Sequence, residues 1–241
     1  MNAPDNLYET EALRAVTGPA IRPGGLTLTE RALDLCALPQ GALVLDVGCG
    51  TGETVKYMRH NRRLRAVGLD RSWTLLSEGR EHPAPPMLIN AKAEAVPIAD
   101  ARLTAVFCEC VLSLLPTPQA ALVEWHRVLA PGGHLIVSDL FTRVASMEAC
   151  QSNEIGHCGL DGAVDRRTLN HRMTSAGFDV LLFEDHTRLL RHLAAQLVWT
   201  YGSLAAFWSA AGAGCRGNSW SSGSRLGYYL MVARKGVDRH G

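Results

Sequence analysis

The stretch Val44-Leu45-Asp46-Val47-Gly48-Cys49-Gly50-Thr51-Gly52 decides the fold class, because a short apolar run carries an acidic residue directly into three glycines spaced two apart. Residues 42–47 are nearly continuously apolar, which predicts a strand buried on both faces of a parallel sheet. Glycines in the following turn let the backbone approach a ligand with no side chain in the way. After Gly52 the apolar spacing becomes helical, so the stretch predicts a strand, a ligand-binding turn and a helix.

Two common nucleotide-binding turns do not fit this pattern. A dinucleotide-binding fingerprint needs its third glycine at position 53, where the chain has Glu53, and this disfavours a dehydrogenase. A phosphate-binding loop needs Gly-Lys followed by Ser or Thr, which does not occur here. What remains is the pattern Asp-x-Gly-x-Gly-x-Gly after a buried strand.

The rest of the chain alternates predicted strands and helices. Residues 27–36 read as a helix that opens with capping-box spacing, and a helix beginning at Thr117-Pro118 stops at Pro131. The last third predicts a helix, a strand, an amphipathic helix at 187–211 and a final strand. Strands are predicted at 42–47, 64–70, 86–91, 103–108, 134–137, 178–183 and 227–233. Strands separated by helices describe a doubly wound α/β sheet.

Composition narrows the class of protein. The chain has 241 residues, 47% of them hydrophobic and 20% charged, which is ordinary for a globular protein. Its 24 basic and 23 acidic residues leave a net charge close to zero, so we expect a small-molecule partner rather than nucleic acid. No targeting segment or membrane-spanning run is visible, so we expect a cytoplasmic protein without a membrane partner. Seven cysteines without disulfide spacing are expected to be reduced thiols.

Four segments together resemble a known family. The glycine stretch resembles motif I of the class I S-adenosylmethionine (SAM) methyltransferases. Residues 91–98 resemble the family's Asp-Ala-Glu-x-Leu-Pro-Phe segment, residues 108–115 correspond to the segment after its fourth strand, and residues 125–133 resemble its Arg-Val-Leu-x-Pro-Gly-Gly turn. The resemblance covers about residues 25–140. Within this family, the chain resembles the type-11 branch, which acts on small molecules.

The resemblance implies the architecture and the cofactor. It implies a Rossmann-like, seven-stranded, mostly parallel sheet with helices on both faces and an antiparallel last strand. The whole chain, 1–241, would then be one methyltransferase domain, with a 1–26 N-terminal extension, a 27–140 SAM-binding core and 141–241 acceptor-side elements that include helix 187–211. The implied cofactor is SAM, and the implied partner is a small-molecule acceptor.

The resemblance also implies the cofactor-binding residues. Asp46 and the glycine turn would hold the methionine end, and Asp70 would accept both ribose hydroxyls; the alternative for Asp70 is an acid that merely favours a helix N-terminus. Lys92 replaces the acid that usually meets the adenine, and because lysine is no acceptor that contact must come from the Ala93 backbone or another residue. The full implied set is Asp46, Gly48, Cys49, Gly50, Gly52, Asp70, Arg71, Ala93, Glu94 and Glu109.

The acceptor side offers weaker clues. Cys158, in a glycine-flanked turn, resembles a cysteine of the arsenite methyltransferases, whose thiols bind trivalent arsenic; Cys150 and Cys215 are further thiols that could contribute. The alternative is that these thiols are incidental. Cys158 and neighbouring His157, a candidate base, are the catalytic candidates, and without a Cys-x-x-Cys pair no metal site is predicted.

Three further expectations stay open between alternatives. The stripe of large apolar residues from Leu189 to Trp208 is either core, or a lid or dimer face, which leaves monomer and homodimer open. Cys108 and Cys110 are expected to share one strand face in the pocket wall. We expect a SAM-dependent methyltransferase, and the competing hypothesis is a protein that binds SAM without catalysis.

Overall fold

The structure is a computed structural model that describes residues 7–143, 162–212 and 226–236. Its strands form one seven-stranded sheet in the order β3-β2-β1-β4-β5-β7-β6, in which β1 to β5 pair in parallel and β7 runs antiparallel to both of its neighbours. The strands are β1 (Leu43–Val47), β2 (Arg65–Asp70), β3 (Leu88–Asn90), β4 (Leu103–Glu109), β5 (Leu129–Thr142), β6 (Phe178–Asp185) and β7 (Leu226–Lys235). The predicted α/β fold, with seven strands and an antiparallel last strand, is confirmed.

Helices cover both faces of this sheet. Helices α5 and α6 pack on one face, where Trp125 and Met173 are fully buried, and α2, α3 and α7 pack on the other through residues such as Ala32, Met58 and Leu190. The helices are α1 (Glu11–Thr17), α2 (Thr27–Cys36), α3 (Glu53–Asn61), α4 (Trp73–Arg80), α5 (Pro118–Val128), α6 (Arg166–Ser175), α7 (Thr187–Tyr201) and α8 (Leu204–Ala211). A strand such as β1 is therefore buried on both faces, as its continuous apolar sequence predicts.

Two elements and one helix cap differ from the sequence-based expectations. The single helix expected at 187–211 is two helices, because Gly202 turns left-handed (φ 80°) and the Ser203 hydroxyl caps α8 by accepting from the Ala206 N–H. Helix α2 begins at Thr27 as expected, but no side chain caps it. The Thr29 hydroxyl donates instead to Glu109 at the end of β4. Strand β5 starts at Leu129, directly after α5, and is much longer than the four residues expected.

A third apolar cluster lies apart from the two faces of the sheet. The N-terminal segment packs there on the α7–α8 pair, and the Tyr201 hydroxyl donates to the Ala12 carbonyl oxygen over 2.9 Å. Its buried members are Leu7, Leu13, Leu193, Leu197, Phe207, Trp208 and Ala211. The apolar stripe of 189–208 is therefore packed as core, whereas Trp199, on the same helix, is 91% exposed.

Candidate active site

A cavity of about 690 Å³ opens at the carboxyl ends of β1, β2, β3 and β4. Ligands of open α/β sheets bind at this edge. The turn after β1 forms one wall, the residues after β2 and β3 form a second, and the segment after β4 forms a third. Residues 19–22 of the N-terminal segment complete the enclosure.

The glycine turn is shaped for close approach of a ligand. Gly48 and Gly50 both have left-handed backbones, with φ of 72° and 53°. A Cβ on Gly48 would lie 2.1 Å from Val111 Cγ2, so Gly48 is required by packing between the β1 turn and the β4 segment. A Cβ on Gly50 would meet only Leu75 Cδ1, at 3.8 Å, and Gly50 borders the cavity. Gly52 does not border the cavity. It directly precedes α3, and a Cβ on it would lie 2.7 Å from Pro86 Cγ.

Asp70 ties this turn to β2. Its carboxylate accepts from the Gly50 and Ser72 backbone N–H groups, both over 2.8 Å, and it borders the cavity while being 8% exposed. Burial raises the pKa of Asp70, and the two N–H donors oppose that rise. Because a carboxylate has about four acceptor positions, Asp70 keeps capacity for two hydroxyl groups of a ligand. Arg71 borders the cavity beside it.

Asp46 does not border the cavity. It is 3% exposed and lies behind the cavity wall. Burial raises the pKa of Asp46 well above its usual range, the nearby Glu109 raises it further, and Arg22 opposes the rise. Of the predicted cofactor residues, Asp46 and Gly52 stand behind the lining, and the lining includes Gly48, Cys49, Gly50, Asp70, Arg71, Ala93, Glu94 and Glu109.

Glu109 is the centre of a buried polar network that the sequence analysis missed. Arg22 Nη2 lies 2.9 Å from Glu109 Oε2, and the two side chains are 10% and 2% exposed. The Thr29 hydroxyl donates to Glu109 over 2.8 Å, and Thr54 lies in contact with both Arg22 and Glu109. The only sequence signal for Arg22 was its place in the Pro- and Gly-rich stretch 18–25, which by itself reads as a turn.

A carboxylate borders the cavity at the wall that the resemblance places near the adenine. Lys92 borders the cavity and is exposed. The Ala93 carbonyl already accepts from the Trp125 indole N–H over 2.9 Å. Glu94 borders the cavity, is partly buried, and accepts from the Thr117 hydroxyl over 3.2 Å. Glu94 is therefore the carboxylate at this wall that is placed to accept from an amino group.

Cys108 and Cys110 lie on opposite faces of the sheet, unlike the sequence-based prediction. Cys110 follows β4 with a left-handed backbone (φ 59°), so Cys108 and Cys110 enter the cores on opposite faces, and the prediction of a shared face was wrong. Cys110 borders the cavity, Cys108 does not. Cys110 Sγ lies 3.2 Å from the Tyr228 hydroxyl, and burial raises the pKa of the Cys110 thiol to about 12, so this thiol stays protonated.

The catalytic candidates Cys158 and His157 lie outside the described residues, as do Cys150 and Cys215. Within residues 7–143, 162–212 and 226–236, no three His, Cys, Asp or Glu side chains converge to hold a metal ion. In the same residues no helix combines the length and apolarity that a membrane span requires.

Comparisons with known proteins agree with this geometry. The family model described as "Methyltransferase domain", of type 11, matches residues 45–137, which run from β1 through β5. A malonyl-[acyl-carrier protein] O-methyltransferase from Enterobacter lignolyticus is 35% identical over 41% of this chain and 39% of its own length, so the chain spans well under half of that relative. The methyltransferase GfsG from Streptomyces halstedii is 27% identical over 88% of this chain and 80% of its own length.

Among solved structures, a phosphoethanolamine N-methyltransferase 2 from Haemonchus contortus in complex with SAM has the same fold. It superposes with a TM-score of 0.75 at 15% identity, covering 93% of this chain and 56% of that one. The methyltransferase domain matched by residues 45–137, the order of the strands and the cavity at their carboxyl ends agree in a class I SAM-dependent methyltransferase fold.

Proposed function

We propose that this protein transfers a methyl group from SAM to a small-molecule acceptor. The observation that carries the proposal is that the carboxylates of Asp70, Glu94 and Glu109 border the cavity beside a glycine turn. SAM has an ammonium, a sulfonium, a ribose diol and an adenine, and no phosphate. Carboxylates suit these groups, and about 690 Å³ is in the usual range for a small-molecule site.

The chain's own residues would bind and orient the reactants. SAM, when bound, supplies an electrophilic methyl group on a good leaving group, so alignment and exclusion of water can provide much of the rate. Residues 19–22 cover the cavity, and Val111, Leu114 and Leu115 give it an apolar wall. These two surfaces would keep water away from the sulfonium.

The described lining also bears on the acceptor. No histidine is among the described residues that border the cavity, and the Cys110 thiol has too high a pKa to act as a base at neutral pH. Among the described lining residues, a nucleophile that arrives protonated would therefore depend on a carboxylate as its base.

The direct test is a metabolite screen with SAM labelled in its methyl group. The proposal expects labelled product together with equimolar S-adenosylhomocysteine. Tight SAM binding without S-adenosylhomocysteine in any extract would instead support a SAM-binding protein that lacks catalysis.

A second candidate, methylation of thiol-bound arsenic, rests on the glycine-flanked Cys158 in the sequence. Here Cys158→Ser should leave SAM affinity unchanged and eliminate arsenic methylation, because a hard hydroxyl replaces a soft ligand. Cys36→Ser, in α2, is the control and should have no effect. If the wild-type protein takes up no stoichiometric arsenite under reducing conditions, this candidate is discarded.

A further inference from the structure

A buried carboxylate near the carboxyl end of β5 lies next to one wall of the cavity without bordering the cavity itself. Asp139 is 1% exposed. Among the described residues, it forms no ion pair with an arginine, lysine or histidine. A buried carboxylate without a counter-charge costs free energy unless hydrogen bonds compensate it. The hydrogen-bond donors of Asp139 therefore indicate what it does in the fold.

These donors come chiefly from the segment after β4. The Ser113 N–H donates to Asp139 Oδ2 over 2.8 Å, and the Ser113 hydroxyl donates to Oδ1 over 2.7 Å. The Leu140 N–H also donates to Oδ1, over 2.7 Å, and the Leu112 N–H further stabilises the charged form. Burial raises the pKa of Asp139, and these donors oppose the rise. Both oxygens of the carboxylate thus hold Ser113.

Ser113 belongs to the turn that forms the apolar wall of the cavity. Residues 112–114 are a single 3-10 turn after β4. The wall consists of Val111, Leu114 and Leu115. Ser113 does not border the cavity, and it is packed closely on its other side, where a Cβ on Gly162 would lie 1.9 Å from the Ser113 carbonyl oxygen. Asp139 therefore fixes the wall from behind.

Val111 relates this wall to the reacting group of the cofactor. A Cβ on Gly48 would lie 2.1 Å from Val111 Cγ2, so Val111 packs directly on the glycine turn. In the proposed function, this turn holds the methionine end of SAM, and the methionine sulfur carries the transferable methyl group. The wall would therefore lie beside that methyl group.

We propose that Asp139 is a positioning residue for methyl transfer, which acts through Ser113 to hold the apolar wall against the methyl group of SAM. The proposal rests on the proposed function, because the wall belongs to the same cavity. S-adenosylhomocysteine lacks this methyl group and so lacks the contact. The wall then favours binding of the reactant over the product, and Asp139 contributes to that preference without touching either ligand.

Calorimetric binding of SAM and of S-adenosylhomocysteine to the full chain tests this role. Asp139→Asn keeps the size of the side chain, but its amide nitrogen is no acceptor, so at least one donor around it loses its partner. The variant should weaken SAM binding by about fourfold or more, the equivalent of one methyl group returned to water. Binding of S-adenosylhomocysteine should stay within about 1.5-fold of the wild type, because this ligand does not make the contact.

Ser113→Ala distinguishes positioning from charge. It removes the hydroxyl that donates to Asp139 and leaves the carboxylate in place. It should weaken SAM binding by about threefold, again without effect on S-adenosylhomocysteine. A loss with Asp139→Asn but none with Ser113→Ala would attribute the effect to the charge of Asp139 and overturn the positioning role. If Asp139→Asn does not fold by circular dichroism, Ser113→Ala alone decides.

The matched control is Asp165→Asn. Asp165 accepts from the N–H and the hydroxyl of Thr168, just as Asp139 accepts from those of Ser113. It caps α6, however, and neither residue of this pair borders the cavity or holds its wall. The control should change neither affinity by more than about 1.5-fold.

The outcomes separate this proposal from the proposed function. An equal loss for both ligands would make Asp139 a general support of the fold and overturn the proposal, and so would an unchanged affinity for SAM in a folded Asp139→Asn variant. If the wild-type protein binds neither ligand, the proposed function itself fails.

Discussion

Individual carboxylates determine the electrostatics of this cavity. Asp46 and Asp70 are almost entirely buried, and burial raises the pKa of both. A folded-state pKa above the unfolded value means that the folded chain holds the proton to higher pH. Ionisation of these groups therefore opposes folding, and a cationic ligand would relieve that cost.

The first prediction concerns Asp46→Asn. Below the unfolded pKa of about 4 both states are protonated and the substitution should change little. As pH rises through the raised folded pKa, wild-type stability falls relative to the variant, so Asp46→Asn should increase the free energy of unfolding at neutral pH. Urea denaturation at several pH values measures this. Asp179→Asn, at an exposed site, should show no such trend; a gain that is independent of pH would contradict the account.

The second prediction concerns Asp70→Ala. Loss of a charge-assisted contact to the ribose should weaken SAM binding by about 10- to 100-fold, the equivalent of about 1.5 to 3 kcal/mol. Calorimetry with a check of the fold by circular dichroism measures this, and Asp179→Ala is the control. Unchanged affinity in a folded variant would remove Asp70 from the binding site.

At the scale of elements, the glycine turn and its two neighbouring strands form one unit. The Gly48 N–H donates to the Leu69 carbonyl over 2.7 Å, and Asp70 accepts from Gly50, so β2 holds the turn that follows β1. The β4 segment packs on the same turn through Val111. The positions of the glycines in this unit decide what each substitution does.

The third prediction compares two of these glycines. Gly50→Val should abolish SAM binding, because its side chain would enter the cavity, and it should also cost about 1–2 kcal/mol of stability for its left-handed backbone. Gly48→Ala should chiefly destabilise the fold, because its Cβ would meet Val111 at 2.1 Å. Thermal denaturation and calorimetry distinguish the two effects. Retained SAM binding in Gly50→Val would show that the turn does not approach the ligand.

At the scale of the whole molecule, the cover of the cavity is joined to the helices after β6. Residues 19–22 border the cavity, and α1, just before them, packs in the cluster with α7 and α8. A Cβ on Gly24 would lie 2.8 Å from Leu189 Cδ1, which shows how closely the segment also approaches α7. The N-terminal segment therefore contributes to a hydrophobic core as well as to the cavity.

The fourth prediction uses two tryptophans of the α7–α8 pair. Trp208 is 7% exposed and Trp199 is 91% exposed. Trp208→Ala should lower the free energy of unfolding by about 3–5 kcal/mol, as for other buried aromatic truncations, and should weaken SAM binding because α1 loses its support. Trp199→Ala should change both by little. Equal effects of the two variants, measured by urea denaturation and calorimetry, would contradict this packing.

Local sequence was sufficient wherever a property depends on neighbouring residues. An apolar run followed by spaced glycines predicts β1 and its turn, and an acid that ends the next apolar run places Asp70 at the same sheet edge. The sequence also revealed that Lys92 replaces an acid. Whether the Glu94 side chain reaches the cavity depends instead on how residues 91–98 fold. The predicted side of the sheet for Cys110 was wrong because side chains alternate between faces only within a strand. Strand β4 ends at Glu109, and Cys110 has a left-handed backbone.

By itself, the sequence determined the strand–turn–helix unit, the α/β class and the acids at the strand ends, because periodicity and glycine spacing act over a few residues. Only the tertiary structure decided that Arg22 meets Glu109, that the N-terminal segment shares a core with α7 and α8, and that Asp46 lies behind the cavity wall. Thr29 and Glu109, which hydrogen-bond directly, are 80 residues apart in the chain. Such contacts form only when separate elements pack together. A local sequence pattern therefore does not reveal which distant side chain will pair with a buried charge.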